Sequence, residues 1–263
     1  MEEPGTIYFT GTAGAGKTTL VRAFAVWMRS AGYDATIVNL DPGSEASESD
    51  TDVDIREWVR LADLQDEYGL GPNGAQVVAA DMIALKIFEV KQAILELKTD
   101  YILIDTPGQI ELFAFREASK AIVEALSGDH SVIAFLYDPV LARTAAGFVS
   151  LLMLGATVEF RFRLPTLNIL AKSDVLTPDQ LREIMSWSDD PGALYEAVRA
   201  DAPTPDVQLS TELFRAIENM APLVGLVPTS AKEASGLEAL YQSFQKVFSG
   251  GEDLVPSHDP TNE

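Results

Sequence analysis

Apolar residues in this chain fall into two alternating kinds of run. The short kind is continuous and β-prone, at residues 6–10, 35–40, 101–104, 132–137, 166–170 and 226–228. Strands that are apolar without alternation are buried on both faces, as in a parallel sheet. The long kind has helical spacing. It covers 20–28 (Val21, Phe24, Ala25, Trp27, Met28), 77–97 (Met82, Ile83, Ile87, Val90, Ile94), 113–126, a segment around Leu151, and 237–248. Gly32 is placed to end the first helix, and Ser127-Gly128 the third. Strands alternating with helices predict an α/β fold with a mostly parallel, doubly wound sheet. The stretch at about 178–222 is helical in pattern but broken by Pro191-Gly192 and Pro203-Thr204-Pro205, which predicts a helical insertion in a single domain, 1–248. From 249 to 263 the chain is rich in Gly, Pro and acid, and a disordered tail is expected.

The candidate chemistry sits where the strand-like runs end. Gly11-Thr12-Ala13-Gly14-Ala15-Gly16-Lys17-Thr18 reads G-x-x-x-x-G-K-T between a strand and a helix, the context this phosphate-loop pattern requires. Glycines let backbone N–H groups of Ala13 to Thr19 curl round a phosphate, and the helix N-terminus favours the anion. Ala13, Gly14, Ala15, Gly16, Lys17, Thr18 and Thr19 are therefore nucleotide-binding candidates. Lys17 is expected on the β/γ-phosphates and the Thr18 hydroxyl on Mg²⁺. Asp105 ends the 101–104 run, as an acidic residue supporting Mg²⁺ does. In the following Thr106-Pro107-Gly108-Gln109, Gly108 permits close approach to a γ-phosphate.

Lys172-Ser173-Asp174 follows the 166–170 run. Guanine offers two adjacent donors that one carboxylate accepts together, whereas adenine lacks that pair, so Asp174 selects guanine. The stem of Lys172 is placed to lie along the base. Thr229-Ser230-Ala231-Lys232 follows the last strand, where a backbone N–H from Ser230 or Ala231 can meet the guanine oxygen.

Composition narrows the setting. With 263 residues, 47% of them hydrophobic, the chain can bury a full core. The absence of Cys excludes disulfides and thiolate-bound zinc, and two distant histidines, His130 and His258, make no metal site. A net charge of −21, from 40 acidic against 19 basic residues, repels nucleic acid and anionic lipid, so neither is an expected partner. An acidic start, Met1-Glu2-Glu3-Pro4, is unlike a signal peptide. The longest uncharged run, 144–158, is short for a membrane span and reads as a buried or interface helix. A cytoplasmic protein is expected, and acidic residues spread along the chain suit a salt-rich, halophilic cytoplasm. The acidic stretch 44–54 has the composition of a solvated loop or of a segment ordered by nucleotide. That loop and the apolar 148–154 segment are the candidate partner contacts, against their plainer reading as a surface loop and a core or homodimer helix.

Together the phosphate loop, Asp105-Thr106-Pro107-Gly108, Lys172-Ser173-Asp174 and Ser230-Ala231-Lys232 resemble the GTPases. Gly71-Pro72-Asn73, in a second glycine-rich loop, narrows the match: the chain resembles the GPN-loop GTPases from residue 6 to about 248, and its acidity is similar to that of a haloarchaeal member. The resemblance implies a dimerising P-loop NTPase fold. It implies a Mg²⁺-dependent GTPase acting as a homodimer, with Gly71, Pro72 and Asn73 of one subunit reaching the phosphates of the other. Asp41 then orients water or binds Mg²⁺ through water, and Gln109 and Glu111 flank the attacking water. The eukaryotic relatives' role in RNA polymerase assembly implies a protein client by analogy only. The family's guanine motif usually opens with Asn, and Ala171 stands there instead. Asn168 lies three residues earlier, out of register. No arginine is identifiable as a finger acting in trans; Arg56 is a candidate for it, against its plainer reading as a structural ion-pair partner. Two alternatives remain: an ATP-using protein of the same class, and an interaction protein in which hydrolysis is only a timer.

Overall fold

The computed structural model describes residues 3–44, 50–201 and 225–249. Among these, seven strands make one parallel sheet: β1 (Gly5–Gly11), β2 (Ala35–Asn39), β3 (Val53–Asp54), β4 (Tyr101–Asp105), β5 (Ser131–Tyr137), β6 (Thr166–Leu170) and β7 (Leu226–Pro228). Their spatial order is β3-β2-β4-β1-β5-β6-β7. From β1 the chain crosses to β2 and β3 on one side, returns to β4 beside β1, and then runs through β5, β6 and β7 on the other, so β1 lies near the point where strand order reverses, and ligands bind outside the C-terminal strand ends there.

Alternation along β1 explains the two layers. Ile7 and Phe9 face α1 (Lys17–Ser30) and the last helix, α10 (Leu237–Ser249), with Phe24 and Phe244 in the same core. Tyr8 faces the opposite layer, with α3 (Pro72–Glu96), α5 (Glu117–Leu126) and α7 (Ala145–Phe162). Phe24 anchors the first layer, its ring 6.3 Å from Phe9 and 5.7 Å from Phe244. Gly32 ends α1 as expected: its φ is +92°, and the Tyr33 N–H bonds back to the Met28 carbonyl at 3.0 Å.

Four expectations are corrected. The glycine-rich stretch around Gly71-Pro72-Asn73 is not all loop. Gly71 caps α3, Pro72 is its first residue, and Asn73 and Gly74 lie in its first turn. The 113–126 helix is two, α4 (Ile110–Ala114) and α5. They separate at Arg116, whose guanidinium pairs with Asp81 of α3. Residues 54–59, whose sequence begins a short helical pattern, instead hold the end of β3 and a single turn at Ile55–Glu57, capped by the Asp54 carboxylate; α2 (Leu61–Tyr68) follows. The uncharged run extends into an 18-residue helix, α7, which is long and apolar enough to cross a membrane by length and composition. Its Phe148, Leu151, Leu152 and Val158 are buried in the core, and a Cβ on Gly155 would stand 3.2 Å from Phe135, so α7 packs here as a core helix.

A four-residue helix, α6 (Pro139–Ala142), precedes α7. The stretch expected as an insertion opens with α8 (Pro178–Asp189), which starts on a capping box of Thr177 and Gln180, and α9 (Pro191–Asp201). Residues 202–224, including Pro203-Thr204-Pro205 and the rest of the expected insertion, lie outside the described residues, as do 250–263, the expected tail, which includes His258.

Candidate functional site

The loops at the C-terminal ends of β1, β2, β4, β6 and β7 carry most of the chemistry-bearing residues. Gly11 has no room for a side chain, since a Cβ would lie 2.7 Å from the Leu136 carbonyl. Gly16 starts α1 at φ +98°, in the left-handed region that favours glycine. Lys17, the first residue of α1, is buried at 5% exposure. Its ammonium donates to the carbonyls of Gly11 (3.2 Å), Thr12 (3.3 Å) and Gly108 (2.8 Å). Burial pulls the Lys17 pKa below its ordinary value, against the opposing charges of Asp105 and Asp41. Ala13, Gly14 and Thr19 are exposed at the mouth, Gly16 and Thr18 are half-buried, and Ala15 is buried in the core.

Asp41 clamps the neighbouring loop. One carboxylate oxygen accepts from the Gly108 N–H at 2.9 Å and the other from the Gly43 N–H at 2.9 Å. Both ends of the Gly108 residue are thus held, its N–H by Asp41 and its carbonyl by Lys17. A polar cluster behind fixes Asp41. The Asn39 carbonyl oxygen accepts from the Asp41 N–H at 2.9 Å, and its amide donates to Asp54. Arg56 meets Asp54 through two donors, at 2.9 and 2.7 Å, and also donates to the Ser44 carbonyl. Burial raises the Asp54 pKa, but hydrogen bonds from Arg56, Asn39 and Thr51 outweigh it and hold the group below its ordinary value. Arg56 is thus an ion-pair partner, as its sequence context implied. The acidic stretch is also pinned where it is described: Asp50 pairs with Arg22, and Asp52 with Arg29 and the Ile37 N–H. Residues 45–49 lie outside the described residues.

Asp105 is 3% exposed, and the Thr18 hydroxyl donates to it. Burial pushes its pKa up to about 6, with the Thr18 bond and the Lys17 charge opposing. Its Oδ1 is buried and has no hydrogen-bond partner among the described residues. An unsatisfied carboxylate oxygen beside a threonine hydroxyl fits a divalent cation or its water. No group of three or more acidic or histidine side chains that could hold a metal occurs among the described residues. The set therefore fits Mg²⁺, which takes one or two carboxylates and completes its shell with phosphate oxygens and water.

The raised pKa has a stability consequence. Folded Asp105 holds its proton more tightly than the unfolded chain, whose Asp titrates near 3.8. Its contribution therefore falls as pH rises from about 4 through about 6, and is flat above, a loss of about 3 kcal/mol. Without nucleotide, Asp105→Asn should melt several degrees above the parent at pH 7.5, with the gap closing toward pH 4. Equal melting temperatures at pH 7.5 would contradict this account of the buried carboxylate.

A cleft opens over these loops, lined by Gly14, Asp41, Gly108 and Gln109 among others. Gln76, in the second turn of α3, also lines it and accepts from the Gln109 amide at 3.2 Å. Sequence reading missed Gln76. The available signal was its place three residues after Asn73, one turn along the same helix face. Asn73 and Glu111 are exposed, and neither lines the cleft.

The base end is assembled from two loops. Ser230 is fully buried and donates to the Asp174 carboxylate at 2.7 Å, while the Ser173 N–H bonds to the Thr229 carbonyl at 2.9 Å. Asp174 itself is half-buried. Ala231 is half-buried beside it. The Lys172 ammonium donates to the Gly14 carbonyl, so its stem spans toward the phosphate loop. Ala171 is buried, and Asn168 is buried within β6, its Oδ1 3.3 Å from where a Gly155 Cβ would stand. Asn168 thus faces α7, out of register with the site.

A glycine loop feeding a helix, a buried acid on the adjacent strand and a parallel sheet with these loops along one edge define a P-loop nucleotide-binding protein. A family model described as "Conserved hypothetical ATP binding protein" matches residues 9–250. The chain is 30% identical over 236 residues to GPN-loop GTPase PAB0955 of Pyrococcus abyssi, covering 89% of this chain and 93% of that one. It is 30% identical over 254 residues to GPN-loop GTPase 3 of Dictyostelium discoideum, covering 95% and 89%. The crystal structure of PAB0955 in apo form superposes with a TM-score of 0.81 at 28% identity, covering 93% of this chain and 97% of that one. The chain belongs to the GPN-loop GTPase family.

Proposed function

We propose that this GPN-loop GTPase is a Mg²⁺-dependent nucleotide switch that hydrolyses GTP as a homodimer. The observation that carries the reading is the convergence on one cleft of Gly14, Asp41, Gly108 and Gln109, with Lys17 bonded to the Gly108 carbonyl and Asp105 bonded to Thr18. Lys17 and the loop amides offset charge on the β/γ-phosphates. Thr18 and Asp105 would hold Mg²⁺, directly or through water, and the cation when bound would neutralise charge developing on the phosphates. Asp41 and Gln109 stand at the cleft where a water would be oriented for in-line attack, so positioning and electrostatics supply the catalysis. Asp174 reads the guanine edge.

The placement of Asn73 supports the dimer. It is exposed at the start of α3 and does not line its own cleft, so it is available to the phosphates of a second copy. Asn73→Ala should slow hydrolysis about 100-fold, the scale of losing one transition-state donor, and leave GTP affinity nearly unchanged. Mixing Asn73→Ala with Lys17→Ala chains should restore turnover, because one site of the mixed dimer is intact. A mixture that stays inactive would place Asn73 outside the partner's site.

Two observations favour a second reading, ATP use. The matched family model is described as ATP binding, and Ala171 lacks the amide usual in a guanine motif. Competition of GTP, ATP and their diphosphates for the site, followed by equilibrium titration, decides between them. Preference for ATP would overturn the guanine assignment.

A further inference from the structure

Three adjacent strands, in the order β1-β5-β6, end side by side. The first delivers the phosphate loop and the third delivers Lys172 and Asp174. The middle strand delivers Asp138, one residue beyond Tyr137, which pairs in register with Leu170 of β6. Asp138 therefore stands between the two loops while belonging to neither.

Its carboxylate does two things. Oδ1 accepts from the Val140 N–H at 2.8 Å and caps α6. Oδ2 lies 3.7 Å from the Lys172 ammonium. Lys172 leaves β6 through the left-handed region, at φ +51°, a conformation uncommon for a non-glycine residue. Its stem then crosses Gly16, with Cε 3.1 Å from where a Cβ would stand, and its ammonium reaches the Gly14 carbonyl. The Lys172 side chain is 42% exposed and that of Asp138 15%. A flexible, half-exposed ammonium bonded only to a carbonyl has water as a competitor. A carboxylate on its other side, itself largely removed from solvent, adds an attraction that water does not match.

The geometry points to Asp138 as a positioning residue of the nucleotide site. It holds the Lys172 ammonium against the Gly14 carbonyl, so the link between base loop and phosphate loop runs through Asp138 and Lys172 rather than through a side chain at position 171. Ala171 carries no polar group for that task. The assignment rests on the cleft being a nucleotide site.

Asp138→Asn tests it. An asparagine caps a helix as well as an aspartate, so the substitution keeps α6 and removes only the charge. Asp138→Ser, which also caps, serves as a second variant. Release of fluorescent GDP and fluorescent ADP is followed by stopped flow in the full chain. The expected result is an unchanged melting temperature with release about 2–5-fold faster in both variants, the scale of a partly exposed ion pair. In a Lys172→Ala background, which itself releases faster, Asp138→Asn should add nothing. Release at the parent rate, or effects of the two substitutions that multiply, would overturn the role of Asp138. A parent chain that holds neither probe would overturn the nucleotide reading along with it.

Discussion

Lys17→Ala should abolish GTP hydrolysis, with single-turnover phosphate release lowered about 1,000-fold or more. The expectation has two parts. The ammonium is the group that meets the charge developing between the β- and γ-phosphates, and nothing in alanine replaces it. It also steadies Asp105: the Lys17 charge is one of the factors lowering that carboxyl's pKa, against a burial penalty that takes it to about 6. Without Lys17 the carboxyl moves further up, less of it is ionised near neutral pH, and Mg²⁺ loses a ligand. Apparent Mg²⁺ affinity in the presence of GTP should therefore weaken with turnover. The folded chain should survive, because the lost ammonium is a desolvated one whose burial is itself costly. Turnover at the parent rate would remove Lys17 from the site.

Asp174→Asn should cost GTP about 100-fold or more in affinity. Two charge-assisted hydrogen bonds to the guanine edge are each worth about 1.5–3 kcal/mol, and the amide keeps only one acceptor. Xanthosine triphosphate, which carries an acceptor where guanine has its amino donor, should gain relative to GTP. The substitution is clean, because an asparagine oxygen can still accept from the Ser230 hydroxyl that holds Asp174 at 2.7 Å. Competition titration of GTP, xanthosine triphosphate and ATP measures the effect. An unchanged order of preference would mean that Asp174 does not read the base.

The boundaries of β6 and β7 match their β-prone runs residue for residue, because a proline marks each: Pro165 directly precedes β6 and Pro228 closes β7. The phosphate loop, Asp105 and Lys172-Ser173-Asp174 were legible for a different reason: each follows a β-prone run directly, so sequence order alone puts them on one edge of the sheet. Elsewhere tertiary partners decide the outcome, and no local pattern announces them. The break between α4 and α5 contains no Gly or Pro, and Arg116 makes it by pairing with Asp81, 35 residues away. β3 is two residues long and exists because Val38 and Asn39 of β2 pair with Val53 and Asp54, a register with no local signature. The start of α3 did carry a signal, since Pro72 is at the first helical position, but the density of glycine around it read as loop. Gln76 and Asp138 act through residues 33 and 34 positions away, so no motif could have named them.

The peptide groups around Gly108 are held by the protein's own charged side chains. A carboxylate from Asp41 takes the N–H, and the Lys17 ammonium takes the carbonyl along with those of Gly11 and Thr12. The protein thus lends its own anion and cation to positions where phosphate chemistry is expected. A triphosphate entering this cleft exchanges partners rather than finding idle ones. Counting hydrogen bonds in the filled site would therefore overstate the affinity, since each bond that Lys17 or Gly108 makes to a phosphate retires one that the protein was already making to itself.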